Sequence, residues 1–147
     1  MRASGNDPAG KSIYVIGAGG VSAGICAVLA EGRAETLVIH NRSTARAGQL
    51  VQRLAERFPD IRFVVAEGPP DDRCDVIINA TSLGSLPGDP APADLSLVRP
   101  DALVADVVTI PPLTPHLAAA QARGCQLQYG EAMIHHQIDL MHAFFAS

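Results

Sequence analysis

Tryptophan is absent from these 147 residues, lysine occurs once, and cysteine occurs three times. Cys26, Cys74 and Cys125 are odd in number and widely spread, with no Cys-x-x-Cys pair, so neither a disulfide framework nor a zinc site is indicated. Charged residues make up only 18% of the chain and leave a net charge of −4, which argues against a nucleic-acid partner. Every apolar run is broken by glycine or a charge well short of the ~20 residues that a membrane-spanning helix needs. Residues 1–7 have no apolar centre and do not read as a signal peptide, so the expected location is the cytoplasm. What the chain does have is apolar content, at 48%. At this length a folded chain buries ~68–70% of its unfolded surface, enough for one well-packed domain.

The apolar pattern alternates between two periods. Short continuous runs at Ile13–Ile16, Thr36–Ile39, Ile61–Ala66, Val76–Ile78, Leu103–Ala105 (with Val107 and Val108) and Cys125–Tyr129 predict buried strands. Helices are expected over Val21–Ala30, from Ser43 to Phe58 before Pro59, over Thr114–Ala122 with Thr114 as cap, and from about Glu131 to Phe145. In the first helix, Gly20, Ala23, Gly24 and Ala27 recur at helical spacing and are expected to let it lie close on the sheet. Strands alternating with helices predict an α/β fold, a doubly wound parallel six-stranded sheet of Rossmann type. Residues 1–10 are expected as a flexible lead-in and residues 11–147 as the domain.

In such a sheet the ligand lies beyond the strand C-termini, and three motifs fall there. Gly17-Ala18-Gly19-Gly20-Val21 follows the first strand and opens the first helix, an arrangement that presents backbone N–H groups and a positive helix end to a pyrophosphate. Ser22 stands where the fingerprint has Gly or Ala. The second strand ends in Asn41-Arg42-Ser43, with Arg46 one turn on and no carboxylate for a ribose 2′-hydroxyl. Two guanidiniums beside a capped helix start suit a 2′-phosphate, which points to NADP. The third motif, Asn79-Ala80-Thr81-Ser82-Leu83-Gly84, would line the cofactor from across the switch point, although a loop rich in turn formers reads the same way.

Taken in order with the tail Gly130-Glu131-Ala132-Met133 and Gln137, these motifs resemble the NADP-binding domain of shikimate dehydrogenases, from about Pro8 onward. The resemblance implies that Gly17 to Val21 hold pyrophosphate and that Asn41, Arg42, Ser43 and Arg46 hold the ribose phosphate. It implies cofactor contacts at Thr81, Ser82, Leu83, Val107, Gly130 and Met133, and substrate contacts at Thr109 and Gln137. Thr109 stands where the family usually has tyrosine, and Ala132 where it usually has glycine. The implied reaction is hydride transfer between NADP(H) and shikimate or a quinate-like molecule, on the route to chorismate and the aromatic amino acids.

Family members also carry an N-terminal substrate domain with a Lys–Asp pair. Nothing of it is read here, and Lys11 precedes the first strand, at the wrong end of the sheet for catalysis. The expectation is therefore a cofactor half with no catalytic residue of its own, binding a shikimate-like substrate only together with that domain. A stand-alone NADP-binding sensor or subunit is the alternative. Asp106 is the best-placed carboxylate but reads as a structural acceptor. His135 and His136 are turned about 100° apart by a helix, so no metal site is expected. His40 reads as a strand end and His116 as a helix-surface residue. Leu83, Leu86, Ile110 and Leu113 are expected to form an open apolar patch favouring a homodimer.

Overall fold

The computed structural model describes residues 7–130. Its elements are β1 (Ser12–Ile16), α1 (Gly20–Glu31), β2 (Thr36–His40), α2 (Thr44–Arg57), β3 (Arg62–Val65), β4 (Val76–Asn79), β5 (Leu103–Asp106), α3 (Pro115–Ala122) and β6 (Gln126–Gln128). All six strands are parallel, in the order β3-β2-β1-β4-β5-β6. The order reverses between β1 and β4, which is the switch point of the doubly wound arrangement expected from the sequence. In β4 and β5 every residue is buried, as continuous apolar runs in a parallel sheet require, while the edge strand β3 exposes Arg62. Asn79 pairs in register with Asp106 at the C-terminal ends of β4 and β5.

Alternating side chains divide the core into two layers. Ile13, Val15, Leu37, Ile39 and Ile78 pack with α1 and α2 on one face. Tyr14, Ile16, Ile77 and Val104 pack on the other with Leu117 of α3 and with Leu95 and Val98 from the helix-free connection between β4 and β5. At the N-terminal edge of the sheet, Asp75 accepts hydrogen bonds from the Ser12 N–H and the Arg99 guanidinium, each at 2.8 Å. Lys11 lies at this same edge. Pro8 is buried against Gly32, and the Gly10 N–H donates to the Arg33 carbonyl.

Two expectations require correction. The inward face of α1 is not the small-residue stripe: Ser22, Ile25, Cys26, Leu29 and Ala30 are buried, whereas Gly20 is exposed and Ala23, Gly24 and Ala27 are half-buried. Burial free energy scales with the apolar area removed from water, so Ile25 and Leu29 decide which face turns in. His116 is not on a helix surface either. It is 1% exposed, and neither ring nitrogen has a hydrogen-bond partner among the described residues. Burial pushes its pKa down to about 4, only weakly opposed by the neighbouring Ala105 backbone, whose geometry does not make a hydrogen bond to either nitrogen.

Candidate functional site

The glycine turn is built by both conformation and space. Gly17 has φ +117°, and a Cβ there would stand 3.1 Å from the Thr81 methyl and 3.2 Å from the Ala80 carbonyl oxygen. Its N–H donates to the His40 carbonyl at 2.6 Å, joining the turn to the end of β2. Ser22 is buried and donates its hydroxyl to the Gly17 carbonyl at 2.6 Å, so the departure from the fingerprint ties the turn to α1. Ala18 is buried, while Gly19, Gly20 and Val21 face solvent. Gly19 caps α1 without a side-chain hydrogen bond, and the first turn holds no acidic residue. A Cβ on Gly19 or Gly20 would meet nothing within 4 Å. Among the described residues, the first amides of α1 thus open onto clear space and the first turn carries no carboxylate, the setting in which a helix start takes an anion.

The end of β2 supplies the second wall. Asn41 donates to the Ser43 carbonyl at 3.1 Å, and the Ser43 hydroxyl accepts the Arg46 N–H at 3.3 Å, capping α2 as expected. Arg42 and Arg46 are exposed, and neither guanidinium has a hydrogen-bond or ion-pair partner among the described residues. Arg46 and Ala18 line one cleft of about 430 Å³ together with Gln49, Gln52 and Arg53. The first two motifs are therefore brought together around a cationic opening with no carboxylate in its lining.

The third wall is more internally bonded than the sequence suggests. Asn79 is fully buried; its amide donates to the Leu83 carbonyl (3.0 Å) and to Asp106 Oδ1 (3.1 Å). Its oxygen accepts both the N–H (3.1 Å) and the hydroxyl (2.6 Å) of Thr81. The Thr81 hydroxyl in turn accepts the Leu83 N–H at 3.1 Å. Thr81 therefore shapes the loop with its hydroxyl and meets Gly17 with its methyl, while Ser82 is exposed and Leu83 half-buried. Asp106 also accepts the Val108 N–H (2.9 Å) and the Thr114 hydroxyl (2.7 Å), and Thr114 caps α3 through the Leu117 N–H. Burial raises the Asp106 pKa against the hydrogen bonds that lower it. The structural-acceptor reading of Asp106 holds.

Beyond the end of β5, Gly130 is buried against that strand's continuation: a Cβ there would land on the Val108 carbonyl and 3.0 Å from the Val107 carbonyl carbon. Val107 is half-buried and Thr109 exposed. Met133 and Gln137 lie outside the described residues. Leu86, Ile110 and Leu113 are exposed, at 67%, 77% and 43%. Sequence reasoning missed the Asp89 carboxylate, which accepts the Gly84 and Leu86 N–H groups at 3.0 and 3.1 Å and holds the loop after β4. The signal was an Asp a few residues beyond a glycine of positive φ, visible only once the loop is folded.

The model of the shikimate/quinate 5-dehydrogenase family matches residues 2–85. The chain is 37% identical over 123 residues to the shikimate dehydrogenase (NADP(+)) of Paracoccus denitrificans, covering 84% of this chain and 43% of that protein. It is 36% identical over 143 residues to the shikimate dehydrogenase (NADP(+)) of Rubrobacter xylanophilus, covering 92% and 49%. The chain thus spans about half the length of the curated relatives it matches. Among solved structures it resembles ligand-free 5-ketofructose reductase of Gluconobacter sp. strain CHM43, with TM-score 0.83, 27% identity, and 99% and 55% of the two chains covered. It also resembles shikimate 5-dehydrogenase of Thermus thermophilus in complex with NADP(H) and shikimate, with TM-score 0.74, 27% identity, and 99% and 53% covered.

Proposed function

This chain belongs to the shikimate/quinate 5-dehydrogenase family, and we propose that residues 11–147 are the NADP-binding domain of such an oxidoreductase, acting on shikimate or quinate together with a substrate-binding domain. NADP, when bound, supplies and accepts the hydride. The observation that carries the reading is the carboxylate-free end of β2: Arg46 lines one cleft with Ala18 of the glycine turn, and neither it nor the exposed Arg42 has a partner among the described residues. An adenosine ribose bearing a 2′-phosphate matches that charge, whereas a bare 2′-hydroxyl calls for a carboxylate.

The roles of the individual residues are part of this reading, supported by the geometry and by the resemblance to the family. Gly17, whose own N–H is held by the His40 carbonyl, turns the chain beneath the pyrophosphate; Ala18, Gly19, Gly20 and Val21 offer it backbone donors, and Ser22 holds that turn in place. Asn41 and Ser43 shape the start of α2 so that Arg42 and Arg46 face the 2′-phosphate. Thr81, Ser82 and Leu83 form the opposite wall. Val107 and Gly130, pressed backbone to backbone, take the nicotinamide side. By resemblance, Met133 packs near that ring, and Thr109 and Gln137 meet the substrate. No proton-transfer pair stands among the described residues: Lys11 is at the opposite edge of the sheet, and Asp106 is spent on Asn79, Val108 and Thr114. Proton transfer is assigned to the substrate-binding domain. The exposed Leu86, Ile110 and Leu113 are offered to that domain or to a second copy, which sedimentation with and without Ile110→Ser would detect.

Calorimetric titration of NADP+ and NAD+ tests the reading, since a chain without tryptophan gives little intrinsic fluorescence signal. Arg42→Ala is expected to weaken NADP+ by about 10- to 100-fold, the loss of one charge-assisted contact, and to leave NAD+ nearly unchanged. Equal affinity for both dinucleotides, or none for either, would refute it.

A further inference from the structure

The cleft beside the glycine turn extends past Arg46 along α2. Besides Ala18 and Arg46 it is lined by Gln49, Gln52 and Arg53, so its wall runs down the flank of α2. Arg46 and Arg53 are seven residues apart, two turns or about 10 Å along one helix side. Arg53 is exposed, its guanidinium has no hydrogen-bond or ion-pair partner among the described residues, and neither lining glutamine carries charge.

We propose that Arg53 is a specificity-determining residue that favours NADP+ over NAD+ by its field on the 2′-phosphate, acting from the third turn of α2, two turns behind Arg46. The proposal rests on the NADP reading above. With the 2′-phosphate held at Arg46, Arg53 stands two helical turns behind it, on the order of one Debye length (~10 Å at 0.1 M salt), where a guanidinium still attracts a dianion. NAD+ has no charge at that position, so the same guanidinium does little for it. A field effect of this kind is screened by salt, whereas a direct bidentate contact is less so.

The test titrates the full chain with NADP+, NAD+ and adenosine 2′-monophosphate at low and high salt, comparing wild type, Arg53→Gln and Arg53→Lys. Arg53→Gln is expected to weaken NADP+ and adenosine 2′-monophosphate about 3- to 10-fold at low salt, with NAD+ unchanged. The effect is expected to shrink at high salt, and Arg53→Lys to restore most of the affinity. An unchanged NADP+ affinity, or equal loss for NADP+ and NAD+, overturns the assignment of Arg53. A wild-type protein with no preference for NADP+ overturns the underlying reading and this proposal with it.

Discussion

Replacing His116 by leucine is expected to make the protein more stable. The imidazole is 1% exposed with both nitrogens unpartnered among the described residues, and leaving a buried polar group unsatisfied costs roughly 1–3 kcal/mol. Leucine has similar bulk and no polar atom, so at pH 7.5 a gain within that range follows, worth ~2–4 °C in Tm per kcal/mol for a chain of this size. Acid then separates the two proteins further. Burial lowers the His116 pKa from 6.5 to about 4, so between those values the unfolded chain binds a proton that the folded one refuses. The stability of the wild type therefore falls as pH drops from about 6.5 toward 4. Over the whole interval this amounts to roughly 3 kcal/mol, an upper figure because the ring and its surroundings can relax. Urea denaturation of both proteins at pH 7.5, 6.5, 5.5 and 4.5 measures the difference, in which the shared carboxylates cancel. A gap that does not widen below pH 6.5 would show that the ring is not held neutral by burial. A leucine variant less stable than wild type at pH 7.5 would show that the nitrogens are satisfied.

Other substitutions probe the remaining walls of the site. Gly130→Ala puts a methyl into the Val108 carbonyl, where backbone must move; a loss of at least ~2 kcal/mol in thermal or urea denaturation is expected. Ser22→Ala removes the hydroxyl from the Gly17 carbonyl and is expected to cost ~1 kcal/mol by denaturation, with weaker dinucleotide binding by calorimetry. Asp106→Ala and Asn79→Ala should each cost ~2–4 kcal/mol, and the double variant clearly less than their sum, because each strands the other's partners. Additive losses would show that the two residues act independently.

The strands were legible because β1, β4 and β5 are continuous apolar runs ended by Gly17, Asn79 and Asp106, and the sheet order followed from their alternation with helices. The Ser43 and Thr114 caps and the glycine turn were equally open to reading, since each depends on neighbours in sequence. Inward faces were harder to read. In α1 nearly every residue is small or apolar, so more than one stripe fits, and only the volume of Ile25 and Leu29 decides. In α3 the run of alanines after Leu117 marks no side, and His116 was read by its polarity rather than its position. Thr81 was ambiguous for another reason: its hydroxyl answers to Asn79 and Leu83, which meet it only after β4 has turned into its loop.

The pairing of Asn79 with Asp106 has a consequence for how the sheet finds its alignment. Val76-Ile77-Ile78 and Leu103-Val104-Ala105 are apolar on both faces, so sliding one strand past the other by two residues would still cover oil with oil. Only at the last rung does a mismatch become expensive, because a buried amide and a buried carboxylate would each lose the other. These two side chains work as the reading frame of the central sheet. The loops that leave β4 and β5 start level with one another because of them, and the wall those loops form inherits its shape from that alignment.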